Sequence, residues 1–143
     1  MKKLFLFVSI FAISLVSCSD DDDNSTPVNE ANIMKKWYLK SYEVAGQTIP
    51  YLNEPCGRDY MEYLSGGIYK EYYIYGCDPL EADTDTGTWA LSGNTLTINI
   101  LGDTNSGTIS SLTSTTMQIT TTADYDEDPS TPDISIKMNL TTN

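Results

Sequence analysis

Residues 87–101, GTWALSGNTLTINIL, place two segments of apolar and β-branched residues on either side of Ser92-Gly93-Asn94. In the second segment the apolar side chains alternate with polar ones: Leu96, Ile98 and Ile100 against Thr95, Thr97 and Asn99. Such alternation predicts a strand with one buried face and one wet face. A Gly-Asn pair between two such segments is typical of a tight hairpin. The stretch therefore predicts an antiparallel pair of strands.

The same pattern recurs along the chain from Trp37 onward. We predict eight strands, at residues 37–44, 60–64, 68–75, 87–91, 95–101, 107–112, 115–122 and 133–141. The connections alternate between tight turns, at 65–67, 92–94 and 113–114, and longer segments, at 45–59, 76–86, 102–106 and 123–132. If the strands run up and down in order, the longer segments share one end. We expect an all-β, eight-stranded antiparallel up-and-down barrel, because closure removes the edge strands. Its interior would hold side chains or one small ligand.

The composition of the 143 residues excludes several function classes. The chain has no histidine and a formal net charge of -12. Histidine is the commonest general base and metal ligand near neutral pH, so histidine-based triads and metal sites are excluded. An acidic chain lacks the basic footprint that nucleic acids require. No glycine-rich phosphate loop is present. We expect a protein that is not an enzyme and has no cofactor.

The N-terminus has the pattern of a signal peptide. Lys2-Lys3 precede an apolar segment at residues 4–16, which is shorter than the ~20 residues of a membrane-spanning helix. The segment ends in Leu15-Val16-Ser17-Cys18, which resembles the lipobox of bacterial lipoproteins. The resemblance implies that residues 1–17 are a lipoprotein signal peptide and that Cys18 carries diacylglycerol. An ordinary secretory signal with a chance cysteine is the alternative.

Residues 18–32 are predicted to be a lipidated acidic tether ahead of a folded domain at 33–143. The tether begins with Ser19 and the run Asp20–Asp23, and blocks of like charge repel and stay extended. Serine and acids after the lipidated cysteine also look like the export signal of surface lipoproteins in Bacteroidota. We therefore expect an outer-membrane lipoprotein of the bacterial envelope, anchored through Cys18, and the second resemblance implies exposure at the cell surface.

Two cysteines remain once Cys18 is set aside. Cys56 and Cys77 lie in the first and third connections between predicted strands, at the same end of the barrel. An even pair outside the cytoplasm predicts a disulfide bond. Two free thiols are the alternative.

The chain resembles a lipocalin-like domain of small Bacteroidota lipoproteins. The matching features are Trp37-Tyr38-Leu39, the segment 87–91 before the Gly93-Asn94 turn, and the final alternating strand at 134–140. The resemblance covers roughly residues 33–142. It implies a lipocalin-like β-barrel with a cavity for an apolar ligand.

Tyrosines and acids supply the candidate site residues. Six tyrosines crowd the strands at 60–64 and 68–75: Tyr60, Tyr63, Tyr69, Tyr72, Tyr73 and Tyr75. Tyrosine can stack on a ligand and hydrogen-bond to it, whereas β-propensity and core filling are the simpler explanation. Tyr63, Tyr72 and Trp89 are the candidate ligand contacts, although Trp89 is also suited to plugging the barrel.

The predicted longer connections hold most of the acidic residues. Their alternating carboxylates make Asp83, Asp85, Asp126 and Asp128 weak calcium candidates. Neither stretch ends in the bidentate glutamate of a full calcium loop, so no metal site is assigned. A solubilising surface is the simpler interpretation.

Two function hypotheses follow from these patterns. The first is a lipid-anchored envelope protein whose barrel binds a small apolar ligand, with tyrosine hydroxyls fixing its orientation. The alternative is a non-catalytic surface interaction or structural module with a filled barrel and acidic loops. The sequence identifies no protein partner.

Overall fold

The computed structural model describes residues 25–123 and 133–143. It contains one short helix, α1 (Glu30–Ile33), and within the described part of the chain nine strands. The strands are β1 (Lys36–Val44), β2 (Gln47–Pro50), β3 (Tyr60–Leu64), β4 (Ile68–Cys77), β5 (Leu80–Ser92), β6 (Thr95–Ile100), β7 (Asp103–Leu112), β8 (Thr116–Ala123) and β9 (Ile134–Thr141). Over these ranges, no helix is long and apolar enough to cross a membrane.

The strands form a closed antiparallel barrel. From β3 to β9 each strand pairs with the next along the chain, and β9 also pairs with β1, between Tyr38↔Thr141 and Val44↔Ile136. The predicted eight-stranded up-and-down barrel is therefore confirmed. The ninth strand, β2, pairs with residues 41–44 of β1, on the edge whose first residues pair with β3.

The prediction was wrong at one end of the barrel. Strand β2 was not predicted, β5 begins at Leu80 rather than at residue 87, and β7 begins at Asp103 rather than at residue 107. The expected long connections at 76–86 and 102–106 are therefore short turns, around Asp78-Pro79 and Leu101-Gly102. Most side chains in these added strand residues are exposed, so the sequence there shows no sustained alternation between apolar and polar residues and gives no sign of a strand.

The opposite end is packed with large side chains. Trp37, Tyr63 and Trp89 are buried there, together with Leu112 and Met117. The Trp37 indole donates to the carbonyl of Ile33 at 2.9 Å, and the Trp89 indole donates to the carbonyl of Leu64 at 2.9 Å. Both tryptophans therefore plug the barrel, with their only polar atoms satisfied.

Helix α1 and the residues before it cover this closed end. The helix begins after Asn29, whose side chain accepts from the backbone N–H of Asn32, and it buries Ile33 completely. The backbone N–H of Thr26 donates to the carbonyl of Leu112, at the end of β7. The N-terminal segment thus reaches the barrel at the end opposite the added strand residues.

The Cys56–Cys77 disulfide bond is present, as predicted. Its Cα atoms are 5.6 Å apart, and it links the connection before β3 to the end of β4. The two residues are separated by 21 positions in the sequence. A cross-link of this span restricts the unfolded chain and contributes roughly 3 kcal/mol to stability.

We expect Cys56→Ala/Cys77→Ala to lower the melting temperature by about 10 °C, because the unfolded chain regains the entropy that the bond removes. Thermal unfolding followed by circular dichroism measures the shift. A reductant should lower the melting temperature of the wild-type protein to that of the double variant and leave the double variant unchanged. Equal melting temperatures for the oxidised wild type and the double variant would contradict the stabilising role.

Candidate functional site

The barrel interior is open in the half away from α1. A central cavity of about 240 Å³ lies there, and its apolar wall comes from four strands. That wall consists of Leu39, Met61, Ile98, Ile100 and Met138. A second cavity of about 250 Å³ shares Ile98, Asn105 and Met138 with the first, so the two adjoin. The interior thus has a filled half and a half with room for a small molecule.

An apolar recess lies on the rim beside the central cavity. It encloses about 420 Å³ and is lined by Tyr42, Val44, Ile49, Ile134 and Ile136. Tyr42 also lines the central cavity, so the recess and the cavity meet at its side chain. Ile49 is half exposed, which leaves an apolar surface where a ligand would enter.

Residues 51–59, which we name the covering loop, form one wall of the central cavity. Tyr51 and Asp59 of this loop both line it. The Asp59 carboxylate accepts hydrogen bonds from the Tyr51 hydroxyl and, at 2.8 Å, from the backbone N–H of Ile74. The Asp59 backbone N–H donates to the side-chain oxygen of Asn53 at 3.1 Å. The Asp59 carboxylate therefore joins the two ends of the covering loop and also attaches the loop to β4.

The covering loop also packs closely on β4. A side chain at Gly57 would place its Cβ only 2.3 Å from the Cδ1 atom of Ile74, so glycine permits this approach. Burial, followed by the hydrogen bond to Asp59, raises the pKa of Tyr51, which keeps its hydroxyl protonated as a donor. With the disulfide bond at Cys56, these contacts fix the loop at both ends.

Glu71 brings a carboxyl group into the cavity from the middle of β4. It pairs with Met61 on β3 and with Asp85 on β5, and it lines the central cavity. Burial raises the pKa of this carboxyl group, and the charges of Asp85 and Asp59 add to the effect. The Tyr69 hydroxyl opposes the rise by hydrogen bonding to the carboxylate. Glu71 therefore bears a charge that its surroundings disfavour.

A second tyrosine–carboxylate pair lies next to Glu71. The Tyr73 hydroxyl donates to the Asp85 carboxylate at 2.8 Å. This hydrogen bond raises the pKa of Tyr73 to about 12. Like Tyr51 beside Asp59, Tyr73 acts as a fixed donor to an acid.

The three predicted ligand contacts fall in different places. Tyr72 contributes to the wall of the central cavity, but its ring stacks on Tyr60 with the ring centroids 5.0 Å apart. Tyr63 and Trp89 lie in the filled half, with their rings edge to face and the centroids 5.5 Å apart. Neither of these two is among the residues that line the central cavity.

Two tyrosines and two acids of the cavity were missed from the sequence, namely Tyr42, Tyr51, Asp59 and Glu71. Tyr60, Tyr69 and Tyr73 also line it and belong to the predicted tyrosine cluster, but they were not chosen as ligand contacts. The alternation of Tyr69, Glu71 and Tyr73 along β4 was a usable signal, because these positions share one face. The tyrosines on the other face hid it.

The calcium candidates are only partly described. Asp83 and Asp85 lie on β5 rather than in a loop as predicted, because β5 extends back to Leu80. Asp85 is already bound by Tyr73. Within residues 25–123 and 133–143, no three acidic or cysteine side chains form a group that could hold a metal ion. Asp126 and Asp128 lie outside the described residues, as does Cys18.

Comparisons with known proteins agree with this architecture. A family model described as a lipocalin-like domain matches residues 33–119. A lipocalin-like protein from Bacteroides uniformis superimposes with a TM-score of 0.56 at 12% identity, over 77% of this chain and 97% of that one. A protein from Bacteroides eggerthii superimposes with a TM-score of 0.54 at 12% identity, over 76% of this chain and 98% of that one. No curated protein matches the sequence. At these identities, the structural likenesses show the fold alone.

We expect Asp59→Ala to destabilise the protein by about 2 kcal/mol, because it removes the charged acceptor of two hydrogen bonds. Urea unfolding measures the loss, and hydrogen exchange should show faster exchange at the Ile74 amide. Glu54→Ala is the matched control, since Glu54 is an exposed acid of the same loop. Equal exchange at Ile74 in the two variants would contradict the role of Asp59.

Proposed function

This chain belongs to the lipocalin-like domain family, and on that basis we propose that it is a lipid-anchored binding protein of the bacterial envelope. Its barrel holds one small, largely apolar ligand. The lipocalin-like barrel is typically a binding fold rather than an enzyme fold. The observation that carries the proposal is the central cavity, whose apolar wall is bordered by a few fixed polar groups, as in small-molecule sites generally.

The cavity suits a ligand of modest size. Burial of apolar surface stabilises a complex by roughly 25 cal/mol per Å². A small molecule gains only several kcal/mol in this way, and loss of its rotational and translational freedom offsets much of that gain. Tyrosine hydroxyls and carboxylates in the wall supply the additional interactions that affinity and orientation need.

The position of the N-terminal segment supports a cavity that faces away from the membrane. Thr26 and α1 contact the closed end, whereas the cavity and the apolar recess lie toward the other end. A lipid on Cys18 would attach the barrel by its closed end, through the acidic tether. The entrance would then point outward, where ligands arrive.

A row of tyrosines on neighbouring strands favours a second candidate function, as a surface interaction module. Tyr38, Tyr60 and Tyr72 lie side by side on β1, β3 and β4. Lys36 lies over the Tyr60 ring and Arg58 over the Tyr38 ring, each at 4.2 Å from the ring centroid. Aromatic and arginine side chains are enriched at protein interfaces. Unlike the filled barrel considered from the sequence, this candidate does not require a filled interior.

We expect wild-type protein purified from its own envelope to carry a small molecule that native mass spectrometry detects and denaturation releases. Ile98→Phe should lose this molecule, because Ile98 lines both cavities and a larger ring occupies their volume. Asn99→Phe is the control, since Asn99 is exposed on the same strand. Equal occupancy in the two variants would contradict binding inside the barrel.

We expect Cys18→Ser to move the protein from the detergent phase to the aqueous phase in a phase-partition experiment. Without the thiol no lipid can be attached, and the apolar anchor is lost. The Cys56→Ala/Cys77→Ala variant should stay in the detergent phase, because it retains Cys18. A Cys18→Ser protein that remains with detergent would remove the anchor from the proposal.

A further inference from the structure

The polar side of the central cavity carries two carboxylates among its tyrosines. Asp59 and Glu71 line it directly, and Asp85 is the partner of Glu71 across β4 and β5. In the described part of the chain, no lysine or arginine is among the residues that line the central or the second cavity. The cavity therefore combines apolar walls with negative charge that no basic side chain of its lining neutralises.

The three carboxylates differ in how they are satisfied. Asp59 accepts from Tyr51 and from the Ile74 backbone, and Asp85 accepts from Tyr73. Glu71 shares its face of β4 with Tyr69, which opposes the rise in the pKa of Glu71. Among residues 25–123 and 133–143, the one ion pair joins Lys137 to Glu43 and does not involve Glu71. Glu71 is thus the cavity carboxylate with unused capacity for a donor.

A second observation at this place is the hydroxyl of Tyr63. The side chain is 0% exposed, and its hydroxyl is the buried side-chain atom that has no hydrogen-bond partner in the described residues. Tyr63 pairs with Tyr69 across β3 and β4, with the ring centroids 5.3 Å apart, and Tyr69 lines the cavity two residues before Glu71. A buried polar atom without a partner is costly, and this one belongs to a ring that packs directly behind the cavity wall.

From these observations we infer that the ligand is an apolar molecule with a positively charged amino group, which pairs with the Glu71 carboxylate while its apolar body packs on Leu39, Ile98 and Met138. The inference rests on the proposed function and specifies its ligand class. An ammonium group supplies several donors and the missing counter-charge at once. The tyrosine rings around the cavity also attract a cation through their faces.

Other ligand classes fit this cavity less well. A carboxylate ligand would bring a fourth negative charge next to Asp59, Glu71 and Asp85, and like charges repel strongly where water is scarce. A neutral alcohol would donate one hydrogen bond but leave the charge of Glu71 uncompensated. The net charge of -12 favours the approach of a cation over that of an anion.

Three probes with nearly the same apolar body and different charge test the inference. They are phenethylamine, phenethyl alcohol and phenylpropionate, titrated by calorimetry into the full mature chain with Cys18→Ser at neutral pH. We expect the amine to bind at least about tenfold more tightly than the alcohol, because hydrogen bonds to charged groups contribute more. The carboxylate should bind least.

Glu71→Gln should bring the affinity for the amine down to that for the alcohol and leave the affinity for the alcohol unchanged. The variant should fold, and its melting temperature should equal or exceed that of the wild type, because a raised carboxyl pKa means that ionisation at neutral pH costs stability. Asp83→Asn removes an exposed charge on β5 and controls for the general field of the protein. It should retain the preference for the amine.

The outcomes separate this inference from the proposed function. Equal affinities of the wild type for the amine and the alcohol would overturn the inference and leave binding in the cavity intact. The same preference for the amine in Glu71→Gln as in the wild type would overturn the assignment to Glu71. Failure of all three probes to bind would overturn the inference together with the proposed function.

Discussion

The pairing of β1 with β9 is the contact on which the rest of the structure depends. It joins the first strand of the barrel to the last, between Tyr38↔Thr141 and Val44↔Ile136, and it closes a sheet that would otherwise expose two edges. Closure also forces the inner faces of eight strands toward one axis, so side chains distant in sequence must share one small volume. The sizes of the inward-facing side chains then decide whether each half of the interior is filled. Buried aromatic rings fill the half of the interior near α1, and the central cavity lies in the other half.

The two halves of the interior differ in how their polar groups are satisfied. In the closed half the tryptophans are buried with their indole N–H groups bonded to backbone carbonyls, so packing is obtained without unsatisfied donors. In the open half Glu71 is charged where burial and two other acids oppose its ionisation. Such a residue lowers stability, and the disulfide bond with the hydrogen bonds of Asp59 offsets that cost nearby. Residues that lower stability in this way are concentrated at the binding sites of proteins.

The sequence predicted the strands whose inner faces are buried and missed the strand residues whose side chains are exposed. Alternation at 134–140 and around Trp89 identified the barrel, because one face of these strands is apolar. Strand β2 and the first residues of β5 and β7 have few or no buried side chains, so their pairing depends on neighbours that only the fold supplies. Cys56 and Cys77 were predictable as a pair because strand order alone puts their two connections at one end. The position of Glu71 in the cavity was not predictable, because tyrosines occur on both faces of β4 and the sequence does not show which face turns inward. The register Tyr63↔Tyr69 identifies the inward face.

The abundance of tyrosines and the abundance of acids, which look unrelated in the sequence, become one feature in the cavity. Tyr51 donates to Asp59 and Tyr73 donates to Asp85, while Tyr69 lies on the same face of β4 as Glu71. Each tyrosine hydroxyl has one proton to give, and in these pairs it is given to a carboxylate. The carboxylates have further lone pairs, so what these pairs offer to a bound molecule is acceptors rather than donors. At Asp59 and Asp85, a hydrogen bond to a bound molecule would therefore run from ligand to protein, and that direction follows from the pairing of each of these acids with a tyrosine.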